Sequence, residues 1–174
     1  RVQAGAVTQN VHEHCAKEGL FWPIDLASKG TCEIGGNLST NAGGLRVIRY
    51  GMARKWVSGL QIVTMNGEII ELNRGLEKNN TGYDLIQLMV GAEGTLAVIT
   101  EATLKLVRLP HQERVLFFSL ASLEAINQLF QEARKGPFEI LAFEFFSDRC
   151  LEAVQTKLKR RSKLEKNSKI GRAH

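Results

Sequence analysis

The residues best suited to chemistry lie at positions 29–51, in the run KGTCEIGGNLSTNAGGLRVIRYG. Six of the sixteen glycines fall there, among them the pairs Gly35-Gly36 and Gly43-Gly44, each with an asparagine close by, Asn37 and Asn41. Thr31, Ser39 and Thr40 add small hydroxyls. Glycine lacks a Cβ and tolerates positive φ, so such a stretch can lay its backbone tightly against another body. Two readings are open. Either the glycines only avoid clashes in a tight crossover loop, or successive bare N–H groups form nests for an anion, with Thr and Asn as neutral donors. No Lys stands in G-x-x-x-x-G-K-[ST] order, which excludes a P-loop. The order G-x-G-x-x-G is absent too, and no crossover helix is expected after the glycines, so a Rossmann dinucleotide fold is excluded. A phosphate-bearing cofactor held here is held by another fold.

Other reactive side chains are sparse. His12 and His14 are two apart, which on a helix points them to different faces, so they read as surface or capping residues rather than a metal pair. Cys15, Cys32 and Cys150 are odd in number and widely spaced, as reduced thiols of an intracellular protein are. Cys32 stands where a thiol could touch a cofactor. Glu93, before Gly94, reads as an acceptor that fixes its loop sooner than as a catalytic acid. Arg46, Arg49 and Tyr50 either face a substrate carboxylate, which suits an arginine fork, or serve packing. Met65 and Met89 read as core fillers.

The elements that must position these residues are legible in outline. A short strand is expected at residues 2–7, then a helix with Val7, Val11 and Cys15 four apart and Gly19 as its stop. Pro23 breaks the chain into an extended segment, and residues 29–51 show no helical or strand period. Strands at 56–65 and 68–72 flank Asn66-Gly67, the signature of a type I′ hairpin. Asp84 is an N-cap for a short helix with Leu85, Leu88 and Met89 on one face, ending at Gly91. Leu96, Val98, Leu104 and Leu106 mark a long β stretch with an irregularity near Glu101.

After Pro110 the pattern changes, and a domain boundary is placed near Pro110–His111. A strand at 114–120 precedes a helix capped by Ser122, with the stripe Ile126, Leu129, Phe130 and Ala133, ended by Gly136-Pro137. A strand at 139–145 and a helix from about Asp148, burying Leu151, Val154 and Leu158, complete a β-α-β-α order. That is the opening half of a split βαβ unit, short of a complete ferredoxin-like sheet.

With 174 residues the chain suits one ordinary domain, and 44% hydrophobic with 24% charged residues excludes a mostly disordered chain. No apolar run reaches the ~18 residues of a membrane span, so no transmembrane segment is expected. The net charge of +5 is a property of the tail: from Lys157 onward stand eight basic residues and one acid, leaving 15 basic and 17 acidic groups before it. A nucleic-acid groove needs basic residues spread over a folded face, so nucleic acid is not an expected partner. A basic-tail binding module is the non-enzymatic rival. Residues 165–174, ending IGRAH, are expected to be a non-native tail, and Arg1-Val2 is no initiator, so the natural N-terminus is expected upstream.

The strings PIDLASKGTCEIGGNLSTNAGGLRVIRYG (residues 23–51), GLQIVTMNGEIIEL (59–72) and NNTGYDLIQLMVGAEGTLAVITEATLKL (79–106) together resemble the FAD-linked oxidases of the vanillyl-alcohol oxidase, or PCMH-type, fold. Within them the likeness is to D-2-hydroxyacid dehydrogenases of the D-2-hydroxyglutarate, D-lactate or glycolate type. It covers about residues 2–106 and weakens afterwards, although LAFEFFS (141–147) is still similar. The resemblance implies an α+β chain: the second subdomain of a PCMH-type FAD-binding domain at 1–110, then the start of a ferredoxin-like cap at 111–164.

It also implies FAD as cofactor. Pro23, Leu26 and Gly30 would line the flavin. Gly35, Gly36, Asn37, Thr40, Asn41, Gly43 and Gly44 would wrap the ring and pyrophosphate, and Gly94, Val98 and Ile99 would close over the adenosine end. The implied activity oxidises a small-molecule D-2-hydroxyacid to the 2-oxoacid, the hydroxyl proton going to a general base and the hydride to flavin N5. The base, the divalent-metal histidines and most carboxylate-binding arginines would lie beyond the chain's end, and the first FAD loop upstream of Arg1. The chain is therefore expected to carry half a cofactor site, with no catalytic or metal-binding residue of its own. The electron acceptor is unidentified, and the protein is expected to be cytoplasmic, membrane-peripheral at most. A same-fold oxidase of a sugar or an ether-lipid precursor is the alternative.

Overall fold

Alternation of apolar side chains in VSGLQIV builds the strand on which the rest of its unit is assembled: Val57, Leu60 and Ile62 turn inward and are buried, while Ser58, Gln61 and Val63 are half-buried. The computed structural model describes residues 1–158 and 169–173 and divides into two units, Arg1–Pro110 and His111–His174. In chain order the first unit holds β1 (Val2–Gln3), α1 (Thr8–Ala16), β2 (Leu20–Phe21), α2 (Ile34–Ser39), α3 (Val47–Tyr50) and a 3₁₀ turn (Ala53–Trp56). β3 (Val57–Val63), β4 (Ile69–Leu72), α4 (Leu85–Met89), β5 (Val98–Leu104) and β6 (Val107–Arg108) follow. The main sheet has the order β1-β5-β3-β4, antiparallel throughout, and β2 pairs with β6 beside it.

Leu60 lies opposite both Leu72 and Ala102, and Ile62 opposite Ile70 and Ile99, so one face of the sheet is continuously apolar. α2 packs against β5 and α4 against β3. Trp22, Ile24, Ile34, Leu38 and Val90 are fully shielded and close a single core over that face. Truncating a residue such as Leu60 to alanine would cost about 2–5 kcal/mol, as cavity-forming core substitutions do.

Several expectations are corrected. β1 is two residues long, not six, because the chain turns at Ala4 and Gly5; Ala4 N still donates to Thr100 O (2.8 Å), and Val7 bridges Glu33 instead. α1 ends at Ala16, with Gly19 (φ +67°) beyond a further turn. The hairpin is not type I′: Gly67 has φ +82°, but Asn66 is not among the positive-φ residues. Gly67 N donates to Thr64 O (2.9 Å) and Thr64 N to Glu68 O (3.0 Å), a wider loop between Val63 and Ile69. On α4 the inward residue is Ile86, followed by Val90, whereas Leu85 and Leu88 are exposed. The irregularity in β5 skips Thr100, one residue before Glu101: Gln61 faces Glu101 and Ile62 faces Ile99.

The largest correction concerns residues 29–51, which contain two short helices where no period was expected. Ile34 and Leu38 are four apart and fully buried, so burial on one face overrides the poor helix propensity of Gly35 and Gly36 between them.

The second unit holds β7 (Leu116–Leu120), α5 (Leu123–Lys135), β8 (Phe143–Phe146), α6 (Asp148–Leu158) and β9 (Lys169–Ala173). Ser122 Oγ accepts from Ala125 N (3.2 Å) and caps α5, whose Ile126 is buried and whose Phe130 meets Phe143 with centroids 4.8 Å apart. β8 begins at Phe143, four residues later than expected. The face expected to be buried on α6 is not: Val154 and Leu158 are exposed. β9 falls within the segment expected to be a tail and pairs antiparallel with both β7 and β8, giving the order β7-β9-β8 and a third strand beyond the β-α-β-α reading. The basic residues from Lys159 to Lys166, and with them the boundary at 164–165, lie outside the described residues.

Candidate cofactor site

Main-chain hydrogen bonds bring the sequence-distant motifs together. Leu45 N donates to Asp25 O (2.9 Å), joining the second glycine pair to the segment around Pro23–Leu26. Gly91 N donates to Leu38 O and Glu93 N to Ser39 O, both 3.0 Å, so the C-terminal carbonyls of α2 hold the 91–94 loop. Ala53 N donates to Ala42 O (2.8 Å), setting the 3₁₀ turn behind the glycine block.

The glycines serve two different ends. A Cβ on Gly35 would stand 2.7 Å from Ala4 Cβ, and one on Gly44 would stand 2.3 Å from Asp25 O, at a residue with φ +83°. Both exist so that chain can pass against chain. Gly36 and Gly94 differ: a Cβ there would meet nothing within 4 Å, and both residues are exposed. Gly43 makes ordinary contact with Val47, and Gly30 approaches the Gln9 side chain.

A run of bare amides is not what the structure shows. Gly35 N donates to Ala4 O, Asn37 N to Glu33 O, Thr40 N to Gly36 O, Asn41 N to Leu38 O and Ala42 N to Asn37 O. Those donors are consumed because the block folds as α2 and its exit turn.

The side chains expected at the cofactor also divide. Asn37 is buried; its Nδ2 donates to Thr8 Oγ1 (2.6 Å), which in turn donates to Cys32 O (3.1 Å). Pro23 is fully shielded between Trp22 and Ile24, and Ile99 is buried in β5 beside Ile62 of β3. These three expected contact residues present no side chain to a ligand, because the core claims them. Val98, next to Ile99, is 57% exposed, as alternation along a strand requires. Thr40 is exposed, with its hydroxyl turned back to Gly36 O (3.0 Å). Leu26 is half-buried against the core. Asn41 adopts φ +49° and accepts at Oδ1 from Arg54 N (2.9 Å).

Arg46 has Asp25 as a partner (3.4 Å) and lies over the Phe21 ring, its Cζ 5.2 Å from the centroid. Asp25 also accepts from Lys29 Nζ (2.9 Å). Burial pushes the Asp25 carboxyl up, but the Lys29 hydrogen bond and the charges of Lys29 and Arg46 outweigh it and hold the pKa below the usual carboxylate value. Arg49 lies over Tyr50. Burial likewise raises the Cys32 thiol, and hydrogen bonds involving Thr8, Ser28 and Asn37 overcome it, leaving a lowered pKa.

His12 is half-buried, 6.4 Å from the Trp22 ring between centroids. Burial lowers its pKa, with Asp25 opposing and Lys29 reinforcing. No group of three or more His, Cys, Asp or Glu is arranged to hold a metal among the described residues. Glu93, at φ +51°, is fixed through its own amide on Ser39 O, and its side chain is exposed.

Sequence reasoning passed over Thr8, Asp25 and Arg54, all of which hold site segments in place. Thr8 begins α1 and Asp25 sits beside Pro23, yet neither gave a signal of its partner. Arg54, between Ala53 and Lys55, carried no signal of its partners either.

Residues 1–73 match the family model described as FAD binding domain. The D-2-hydroxyglutarate dehydrogenase of Xanthomonas citri pv. viticola is 49% identical over 153 residues, which are 88% of this chain and 32% of that protein. The Stutzerimonas stutzeri D-2-hydroxyglutarate dehydrogenase is 46% identical over 152 residues (87% and 32%), and the mitochondrial one of Danio rerio 43% over 158 (90% and 30%). The chain thus spans about a third of the length of these relatives. A solved alkyldihydroxyacetonephosphate synthase superposes with a TM-score of 0.77 over 98% of this chain and 34% of its own, at 20% identity, a likeness of fold alone.

Proposed function

We propose, since this chain belongs to the FAD-linked oxidases whose FAD binding domain its residues 1–73 carry, that it forms one wall of the FAD site of a D-2-hydroxyacid dehydrogenase, with D-2-hydroxyglutarate as the substrate. The observation that carries the reading is the junction of the two exposed, Cβ-free backbones: Gly36 on α2 and Gly94 on the loop that α2 holds both border open space. A diphosphate or a flat ring can approach main chain there more closely than any side chain would allow. The residues present therefore fit FAD.

In this reading Gly36, Thr40, Asn41 and Gly43 hold the pyrophosphate and the adjoining ring edge. Leu26 and Gly30 border the flavin, and Gly94 and Val98 lie towards the adenosine. Pro23, Gly35, Asn37, Gly44 and Ile99 contribute from behind as the packed support. FAD, when bound, supplies the acceptor for the hydride of a 2-hydroxyacid. This chain's part is to bind, orient and shield; the general base and carboxylate-binding residues belong to the remainder of a protein of the relatives' length. Residues 1–110 would then be the second subdomain of a PCMH-type domain and residues 111–164 the start of a ferredoxin-like cap. The physiological electron acceptor is not assigned, and a cytoplasmic setting is part of the same proposal; no described helix is long and apolar enough to cross a membrane.

The test is made on the complete protein containing this chain. It should purify yellow, with FAD released on denaturation, and reduce an artificial acceptor in the presence of D-2-hydroxyglutarate. A folded protein that stays colourless and takes up no FAD overturns the reading. The chain alone should give no turnover; steady oxidation of D-lactate or D-2-hydroxyglutarate by it would place the base within these residues.

A further inference from the structure

Two non-glycine residues of the first unit's site, Asn41 and Glu93, sit in left-handed backbone conformations, at φ +49° and +51°. Such a conformation is unfavourable for a residue with a Cβ and persists only when its surroundings hold it. Arg54 reaches both loops. Its backbone N–H donates to Asn41 Oδ1 (2.9 Å). Its guanidinium donates through Nη1 to Gln87 O and through Nη2 to Val90 O, carbonyls at the end of α4 that immediately precede the 91–94 loop. Those are carbonyls a helix C-terminus leaves without an intrahelical donor, and a cation at that end is favoured by the helix dipole. The fit is close: a Cβ on Gly91, at φ +88°, would stand 2.8 Å from Arg54 Nη2 and 3.3 Å from Asn41 Cβ.

We infer that Arg54 is a positioning residue for the cofactor site, a clasp that locks the glycine block to the 91–94 loop without itself touching the ligand. The inference rests on the FAD reading for the identity of what is positioned, and on the geometry alone for the clasp. A planar guanidinium spans two carbonyls from two nitrogens; a lysine ammonium on the same stem is a point donor and restores only part of that geometry. Loss of the clasp leaves the core intact, since Arg54 is only part-buried and none of its three partners is in a strand.

The experiment compares the complete protein containing this chain with its Arg54→Ala and Arg54→Lys variants by amide hydrogen exchange without ligand and by FAD titration followed through flavin fluorescence. In Arg54→Ala the amides of Gly91 and Glu93 should exchange at least tenfold faster while those of β3 and β5 keep their protection, and FAD should bind about tenfold more weakly, the scale of one lost charged hydrogen bond. Arg54→Lys should recover part of both. Unchanged exchange at Gly91 and Glu93, or FAD binding equal to wild type, overturns the inference. Accelerated exchange throughout β3 and β5 overturns it as well, because Arg54 would then be a general fold residue. Failure of the wild-type protein to bind FAD strikes down the cofactor reading and the positioning role with it, while the exchange pattern still decides whether the clasp exists.

Discussion

Adding one methyl group at Gly44 and at Gly36 should have opposite consequences, because the two glycines face chain and open space respectively. At Gly44 the new Cβ meets Asp25 O at 2.3 Å in a residue already at φ +83°, so Gly44→Ala should destabilise the unit by at least ~2 kcal/mol in urea unfolding. At Gly36 a Cβ meets nothing, and the residue is interior to α2. Gly36→Ala should therefore stabilise the ligand-free chain by about 0.5–1 kcal/mol and yet weaken FAD binding, a split that a melt and a flavin titration would read separately. His12 supplies a pH dependence. Its buried imidazole resists the proton that the unfolded chain takes up near pH 6.5, so stability is whole above that value and falls as the pH drops towards the lower folded pKa. Urea midpoints between pH 7 and pH 5 should decline in wild type and much less in His12→Gln. Asp25, whose pKa is lowered, adds its own loss only further down, below about pH 4. The sequence shows which residues are glycine or histidine, but not that Gly44 and Asp25 touch or that Trp22 covers His12.

At the scale of elements, local chemistry and tertiary burial divide the work. Asp84 and Ser122 were legible as N-caps because a side-chain oxygen next to the first helical turn is a purely local device; each accepts from the amide three residues on. Asp84→Ala should cost about 1 kcal/mol and fray α4, seen as faster exchange at Gln87, whose N–H is the one it accepts from. α2 was not legible, since two glycines in six residues argue against a helix and only the burial of Ile34 and Leu38 decides for it. The inward face of α4 was misjudged for a related reason: Leu85, Ile86, Leu88 and Met89 are all apolar, and a five-residue helix offers too few turns to fix its own orientation. The hairpin was found and its turn type missed, because Asn-Gly favours type I′ locally while the flanking register, Val63 opposite Ile69, requires a longer loop.

At the scale of the whole molecule, the chain is two units with separate hydrophobic interiors, joined where residues 111–115 are exposed and without regular structure. Limited trypsin digestion should cut at Arg114, in that exposed segment, before it cuts at Arg54, whose guanidinium is held by Gln87 O and Val90 O, and the larger product should keep the amide protection of β3 and β5. By itself the sequence determined the caps at Asp84 and Ser122, the hairpin pair β3 and β4, the glycine-rich character of the site and its kinship with FAD-linked oxidases, because periodicity, capping and motif spacing are recorded along the chain. Only the tertiary structure decided which glycines serve packing and which leave backbone open, that Asn37 faces Thr8, and that Arg54 joins two loops. Those outcomes depend on which residues far apart in sequence share a few ångströms of space, and no local pattern encodes that distance.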